Sequence, residues 1–283
     1  MTLSMAQKSL RDQIVHLQVP YGQLALWSLG QAGFILKGGN TLACIDPFLS
    51  SGPELRRRIP IVLEPGALSD LDIVFATHEH LDHADPRTLG PMLAASKDAV
   101  LVTSPQAAAI AQSAGVAETR IMTPALGQRY EHAGLAWTAL PAAHYSYELD
   151  THGRSRWMGF VIECNGVTIY HSGDTIMFPE LDSALRDMKQ HQPIDLALLP
   201  INGRDYMREA LDIVGNLWPH EAVEIAQLLG VRTLIGMHND LFAANRVAPG
   251  LLYDAVDRIA PDLCCHTLQP GELYMYVCTR SAA

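Results

Sequence analysis

Short apolar runs alternate with helical patterns along most of the chain. The runs are rich in Val, Ile and Leu and are separated by turn residues such as Gly, Asn and Asp, which is typical of buried strands. Strands that alternate with helices indicate an α/β architecture. The predicted strands are residues 24–29, 33–37, 42–45, 73–77, 100–103, 135–140, 159–163, 167–171, 196–201 and 233–237.

Amphipathic patterns predict helices between these strands. Most of them begin at a proline, which the first helical turn accepts because its N–H group needs no partner there. At the N-terminus, Leu10, Ile14 and Leu17 fall at helical spacing. We therefore expect residues 1–20 to form an amphipathic helix and residues 21–283 to form a single domain. The other predicted helices are residues 86–96, 105–113, 179–190, 219–229 and 251–259.

Composition and charge narrow the possible partners. The chain has 283 residues, of which 48% are hydrophobic, enough to bury a large core. The formal net charge of -10 argues against nucleic-acid binding, which usually needs a basic surface. No apolar run reaches membrane-spanning length, the N-terminus lacks a signal-peptide pattern, and the odd number of cysteines suits a reducing compartment. We expect a cytoplasmic protein that binds a small-molecule substrate, with no nucleic-acid and no membrane partner.

The stretch FATHEHLDHADP places several possible metal ligands directly after an apolar run. On an extended chain, His78 and His80 point to the same side and can bind one ion together. Asp85 precedes a proline and resembles a helix cap, so the chain must turn near Asp82. That turn aims Asp82 and His83 elsewhere, towards a second ion. The spacing of this one motif therefore indicates two metals.

Three further ligand-type residues each follow a predicted strand elsewhere in the chain. In α/β sheets the loops beyond the strand ends converge on one edge, where ligands usually bind. Imidazole and carboxylate groups without thiolate suit zinc, manganese or iron. The predicted ligands are His78, His80 and His144 for a first ion, Asp82, His83 and His238 for a second, and Asp174 as a bridge between them.

These residues resemble a known family. The His-x-His-x-Asp-His motif, with the later His, Asp and His, resembles the metallo-β-lactamase superfamily, which implies a four-layer αββα sandwich with a binuclear metal site on one edge. SLGQAGFILK, CIDPFLS, YHSGDT and GMHNDLF are most similar to the ascorbate-6-phosphate lactonase group, over residues 24–242. The resemblance implies a metal-dependent hydrolase with two divalent ions per chain, zinc or manganese, and a homo-oligomer.

Hydrolysis is the chemistry that follows from two close divalent ions, which generate a bridging hydroxide and polarise the bond under attack. For a lactone, this hydroxide attacks the carbonyl carbon and a metal stabilises the oxyanion. Asp82, beside the nucleophile, is the candidate to orient the water and relay its proton. We predict a lactonase acting on a small sugar-type lactone, with or without a phosphate group. The alternative is a phosphodiesterase acting on a small phosphodiester.

Residues for substrate binding are predicted at the same edge. Arg204 follows a strand end and can bind a phosphate group, whereas the arginines at 56–58 are either a second phosphate contact or a solvated loop. Asn239 and Asp240 follow His238 and either line the pocket or cap a turn.

Two acidic residues of the motif region are expected to lie outside the ligand set. Asp46 follows a strand and either hydrogen-bonds a ligating histidine or caps a turn. Glu79 lies between two ligands, so its side chain should face away from the metals.

Two other classes compete with hydrolysis. A di-iron protein that reduces oxygen is one, but His80 stands where the di-iron branch of the superfamily often has Glu. A metal-binding module without catalysis is the other, and the complete ligand set argues against it. Near the C-terminus, Cys264 and Cys265 are expected on a core strand rather than at a metal site, because strand alternation sends adjacent side chains to opposite faces.

Overall fold

Two β-sheets of seven strands each form the centre of the protein in a computed structural model that describes residues 4–52 and 55–279. Within each sheet, antiparallel hairpins are followed by parallel crossover strands. The strands are β1 (Gln23–Gly30), β2 (Gly33–Gly38), β3 (Thr41–Ile45), β4 (Ile73–Ala76), β5 (Val100–Thr103), β6 (Ile121–Met122), β7 (Arg129–His132), β8 (Leu135–Pro141), β9 (Met158–Cys164), β10 (Val167–His171), β11 (Leu196–Pro200), β12 (Thr233–Met237), β13 (Cys264–Thr267) and β14 (Leu273–Val277).

Helices cover the outer faces of both sheets. The order of strands is β14-β1-β2-β3-β4-β5-β6 in the first sheet and β13-β12-β11-β10-β9-β8-β7 in the second. Helices α1 to α3 pack on the first sheet, and α4, α6 and α7 pack on the second. The helices are α1 (Met5–His16), α2 (Pro86–Ala95), α3 (Pro105–Ser113), α4 (Pro179–His191), α5 (Tyr206–Glu209), α6 (Pro219–Leu229) and α7 (Gly250–Ile259).

Among the described residues, most of the hydrophobic core lies in three layers, one between the sheets and one under each set of helices. In β1, Leu24 and Leu26 belong to the layer between the sheets, whereas Ala25 and Trp27 belong to the layer under the helices. Strands that are buried on both faces need apolar side chains at every position, which explains the continuous apolar runs. The predicted four-layer αββα sandwich is therefore confirmed.

The predicted strands are all present, and those at Val100–Thr103, Val167–His171 and Thr233–Met237 have the predicted bounds. Strands β6, β7 and β14 and the short helix α5 were not predicted. β7 is polar and mostly exposed, so it lacks the apolar run that marks a buried strand. The strand expected at Cys264 exists as β13, but it lies at the edge of its sheet and Cys264 is exposed, so it is not a core strand.

The N-terminal helix α1 packs against the outer face of the first sheet. Ile14 is fully buried there, in the same layer as Trp27. The buried Lys37 Nζ donates hydrogen bonds to the backbone carbonyls of Ile14 and Val15, at 2.6 and 2.7 Å, and so satisfies carbonyl groups at the end of the helix. Among the described residues, none of the helices has the length and apolar character needed to cross a bilayer.

The parallel parts of the two sheets bring several loops to one edge of the sandwich. Strands β3, β4 and β5 are parallel in the first sheet, and β10, β11 and β12 are parallel in the second. Strand β8 runs in the same direction as β10, because both are antiparallel to β9. The loops that follow β3, β4, β8, β10 and β12 can therefore meet, and all of the predicted metal ligands lie in four of them.

Candidate metal centre

Seven histidine and aspartate side chains from four loops meet at this edge. They form two groups, within each of which the possible ligand atoms all lie within 4.8 Å of one another. The structure thus brings together every residue that the sequence proposed as a metal ligand. The first donor group is His78, His80, His144 and Asp174, and the second donor group is Asp82, His83 and His238.

Asp174, predicted to be a bridging ligand, contacts residues of both donor groups. Its Oδ2 atom lies 3.1 Å from His238 Nε2 and its Oδ1 atom 3.3 Å from His83 Nε2, both in the second donor group. On the other side, Oδ2 lies 3.7 Å from His144 Nε2 in the first donor group. One buried carboxylate therefore lies between two clusters of imidazoles.

A tight turn separates the two pairs of ligands in the motif after β4. The backbone N–H groups of His83 and Ala84 both donate to the carbonyl of His80, at 3.0 and 2.8 Å. Asp85 then caps helix α2, because its side chain accepts a hydrogen bond from Arg87 N at 3.1 Å. The predicted cap is confirmed, and the turn sends His78 and His80 to one donor group and Asp82 and His83 to the other.

Asp46, in the loop after β3, holds His83 in place. The Nδ1 atom of His83 lies 2.7 Å from Asp46 Oδ2, and Thr77 donates to the same carboxylate through its N–H and its hydroxyl, each at 2.8 Å. A carboxylate on Nδ1 keeps the proton on that nitrogen and leaves Nε2 free to bind a metal. Of the two roles proposed for Asp46, the hydrogen bond to a candidate ligand is confirmed.

The carboxylates make the second donor group favourable for positive charge. Burial alone would lower the pKa of His83, but Asp174, Asp46 and Asp82 outweigh it and raise the pKa well above its usual value. Burial would also lower the pKa of His238, but Asp174 and Asp82 raise this pKa to about 10. Since these carboxylates favour positive charge on both imidazoles, they would favour a divalent cation in the same place.

Burial dominates in the first donor group. It lowers the pKa of His144 to about 4, and it lowers the pKa of His78 well below its usual value with the help of His83 and His80. Both imidazoles are therefore neutral near pH 7, which is the form that binds metal. Burial would raise the pKa of Asp174, but His238 and His83 hold it well below the usual range, so this carboxylate is ionised.

His83 Nε2 and Asp174 Oδ1, which lie 3.3 Å apart, are among the buried atoms of the centre that make no hydrogen bond within the described residues. Buried polar atoms are almost always hydrogen-bonded, so such a pair needs a reason. Both atoms are typical metal ligands, and together with the other imidazoles they form a donor set that suits zinc, manganese or iron. The residues present therefore fit a metal centre.

Gln31, in the turn between β1 and β2, contacts the second donor group and was missed by the sequence analysis. Its Nε2 atom donates to Asp82 Oδ2 at 2.7 Å and lies 3.0 Å from His238 Nε2. The only feature of the sequence that could have pointed to Gln31 is that it is a polar residue in a two-residue turn between Gly30 and Gly33. That pattern alone is typical of many hairpins, and it does not reveal where the side chain points.

The three predicted substrate-binding residues all make hydrogen bonds within the chain. Arg204 donates through Nη1 and Nη2 to the carboxylate of Glu221, at 2.6 and 2.7 Å. Asn239 Nδ2 donates to the carbonyl of Val247 at 3.1 Å, and Asp240 Oδ1 accepts from the Gln31 N–H at 2.9 Å. Their roles in substrate binding remain predictions.

Two other charged residues near the motif, Glu79 and Arg57, also have partners. Glu79 belongs to neither donor group and pairs with Arg156 at 2.6 Å, in agreement with the expectation that it faces away from the metals. Of the arginines at 56–58, Arg57 donates to the carbonyl of Phe48 at 2.9 Å and stacks over its ring, while the other two are exposed.

The comparisons with known proteins agree with this fold and site. Residues 43–239 match the family model of the beta-lactamase superfamily domain. The chain is 33% identical over 222 residues to a UPF0173 metal-dependent hydrolase of Methanoculleus marisnigri, covering 77% of this chain and 82% of the relative. It is 30% identical over 264 residues to one of Rubrobacter xylanophilus, covering 90% and 98%. The chain therefore belongs to the beta-lactamase superfamily and, within it, to the UPF0173 metal-dependent hydrolases.

A solved structure shares the fold. Igni18, a novel metallo hydrolase from the hyperthermophilic archaeon Ignicoccus hospitalis, superposes with a TM-score of 0.66 at 21% sequence identity. The match covers 90% of this chain and 98% of Igni18. At 21% identity, this match shows that the two proteins share a fold. The substrate has to be argued from the residues of the site.

Proposed function

We propose that each donor group holds one divalent ion, zinc or manganese, and that the protein hydrolyses a small sugar-type lactone. The observation that carries the proposal is the position of Asp174, whose carboxylate contacts His83 and His238 on one side and His144 on the other. A carboxylate shared between two imidazole clusters is the arrangement that a binuclear centre needs. Two divalent ions held by these residues would lower the pKa of a water and polarise the bond under attack.

Asp82 is the residue that we propose as the proton relay. Its side chain is 17% exposed, whereas Asp174 is only 4% exposed, so Asp82 lies nearer to the open side of the centre. Burial would raise its pKa, but His83 and His238 hold the pKa well below the usual range, so Asp82 is ionised. An ionised carboxylate at the opening can accept a proton from an attacking water and orient that water towards the substrate.

Two of the arginines that could bind a phosphate group are already paired with carboxylates. Arg204 is bound by Glu221 through two hydrogen bonds, and Arg156 is bound by Glu79 and Glu148. A phosphate would have to compete with these carboxylates for both guanidinium groups. The likeness of four segments to the lactonase group supports a lactone, with or without a phosphate group, since Arg58 and Arg246 line a cleft together with Asn239 and Asp240.

The test combines metal analysis with turnover on one sample. The protein is purified without added metal, its metals are measured by elemental mass spectrometry, and the same sample is assayed with a lactone panel and a phosphodiester panel. The bridging residue is tested in Asp174→Ala, and the matched control is His220→Ala, which changes an exposed histidine outside both donor groups.

We expect about two zinc or manganese ions per chain and lactone turnover in the wild type and the control, and loss of both in Asp174→Ala. Phosphodiester turnover without lactone turnover would replace the lactonase with the phosphodiesterase. Bound iron with oxygen consumption would indicate redox chemistry instead. A protein without tightly bound metal would contradict the metal centre as a whole.

A further inference from the structure

Gln31 occupies a backbone conformation that few side chains adopt. It is the first residue of the two-residue turn between β1 and β2, and its φ of 56° lies in the left-handed region. Glycine usually fills such positions in tight hairpin turns, because a Cβ atom is strained there. Non-glycine residues with left-handed backbone angles cluster at functional sites. The presence of glutamine instead of glycine at position 31 therefore suggests a function for its side chain.

The backbone of this turn is bound to the loop that carries His238. The N–H of His238 donates to the carbonyl of Gln31 at 2.8 Å, and the N–H of Gln31 donates to Asp240 Oδ1 at 2.9 Å. His238 is itself left-handed, with a φ of 63°. Two strained residues thus hold each other, and the position of Gln31 relative to the second donor group is determined by the backbone.

The side-chain amide of Gln31 is buried against two of the three residues of the second donor group, Asp82 and His238. Its Nε2 atom lies 2.7 Å from Asp82 Oδ2 and 3.0 Å from His238 Nε2, and the residue is only 4% exposed. Its Oε1 atom is also buried and has no hydrogen-bond partner among the described residues. The side chain therefore presents one satisfied amide nitrogen and one unsatisfied oxygen at this site.

Rotation about the last side-chain bond exchanges the two ends of the amide, which have almost the same shape. An amide NH₂ group is repelled by a cation, whereas an amide oxygen is a good ligand for one. Half a turn of the Gln31 amide would bring Oε1 to the place beside Asp82 and His238 that Nε2 now holds. The same side chain can then serve the centre with and without an ion.

We propose that Gln31 supplies its amide oxygen as a further ligand to an ion at the second donor group, beside Asp82, His83, His238 and the shared carboxylate of Asp174. This inference rests on the proposed function, since it requires an ion at that group. It also makes the two positions chemically different. The first donor group has three imidazoles, whereas the second would have two oxygen ligands from separate side chains besides its imidazoles, a set that favours harder ions such as manganese.

The experiment is a calorimetric titration of chelator-treated protein with Mn²⁺ and with Zn²⁺. His144→Ala, which lacks a donor of the first group, identifies the binding event that belongs to the second. Gln31→Met keeps the length of the side chain without the oxygen, and Gln31→Glu keeps an oxygen but cannot donate to Asp82. Gln13→Met is the matched control, because Gln13 bonds Trp27 under helix α1 and lies outside both donor groups.

We expect Gln31→Met to weaken Mn²⁺ binding at the second group by about 10–100-fold and to leave the first group unchanged. Gln31→Glu should bind Mn²⁺ at least as tightly as the wild type. Thermal unfolding without metal checks that each variant is folded.

Two results would overturn the assignment of Gln31 while leaving the metal centre intact. One is wild-type affinity at the second group in Gln31→Met. The other is a loss of Mn²⁺ affinity in Gln31→Glu that is as large as the loss in Gln31→Met. The function of the residue would then be its hydrogen bond to Asp82. If the wild-type protein binds no ion at the second group, the binuclear function fails, and the role of Gln31 fails with it.

Discussion

Replacing Asp46 with asparagine tests whether the carboxylate behind His83 prepares this imidazole for metal binding. In the wild type, His83 Nδ1 lies 2.7 Å from Asp46 Oδ2, and both side chains are fully buried. Asparagine has nearly the same shape, but the NH₂ group that would face His83 is a donor and cannot accept the hydrogen bond from Nδ1–H. His83 would then have to accept at Nδ1 and carry its proton on Nε2, the atom that faces Asp174. That tautomer cannot bind a metal.

The size of the effect follows from the bonds that are lost. The asparagine oxygen can still accept from Thr77 N, which lies 2.8 Å from Asp46 Oδ1, so the bond to His83 is the main loss. A hydrogen bond to a charged group contributes about 1.5–3 kcal/mol. Since about 1.4 kcal/mol corresponds to a factor of ten, ion affinity at the second donor group should fall by about 10–100-fold. Affinity at the first donor group should change much less.

The assay is calorimetric titration of the chelator-treated variant with Zn²⁺ or Mn²⁺. Asp195→Asn is the matched control, because Asp195 is also a buried aspartate that accepts a backbone N–H, from Thr168 at 2.8 Å, but it lies outside both donor groups. The control should lose stability and keep its metal affinity. Wild-type affinity in Asp46→Asn would refute the argument that Asp46 controls the tautomer of His83.

Three further substitutions test other parts of the structure. His80→Ala removes an imidazole of the first donor group, so most bound metal and activity should disappear, and near-normal turnover would contradict the mechanism. Ile14→Ala should lower the free energy of unfolding in urea by about 2–5 kcal/mol at unchanged metal content. A negligible change would mean that helix α1 adds little to the fold. Arg204→Gln breaks the pair with Glu221 and should lower the melting temperature by about 2–4 °C. A raised KM in the same variant would support the predicted role of Arg204 in substrate binding, and unchanged kinetics would argue against it.

The candidate ligands could be found from the sequence because each is a polar residue directly after a buried strand. The strand Ile73–Ala76 is apolar throughout, so the polar residues that follow it stand out, and the spacing of His78 and His80 places them on one side of the chain. Strand bounds were accurate for the same reason, since a strand buried on both faces is an uninterrupted apolar run. Exposed elements such as β7 and α5 have no such run, and the pattern did not reveal them.

Contacts between distant segments could not be read from local pattern. The sequence left two roles open for Asp46, and only the structure places its carboxylate against His83, 37 positions away. Arg204 shows the opposite case. Its place after a strand end suggested a cation available for substrate, whereas the fold brings the first turn of α6 close enough for Glu221 to bind it.

The sequence by itself determined the α/β class and the identity of the metal-binding candidates, because hydrophobic periodicity and ligand spacing are local properties of the chain. The four-layer arrangement was an implication of the resemblance to a known family. Only the tertiary structure decided that Asp46 contacts His83 and that Gln31 contacts the second donor group. Gln31 and Asp240 are 209 positions apart, and their contact depends on the path of every strand between them. It depends also on one left-handed residue in a hairpin turn, whose φ is held by the hydrogen bonds of the folded chain.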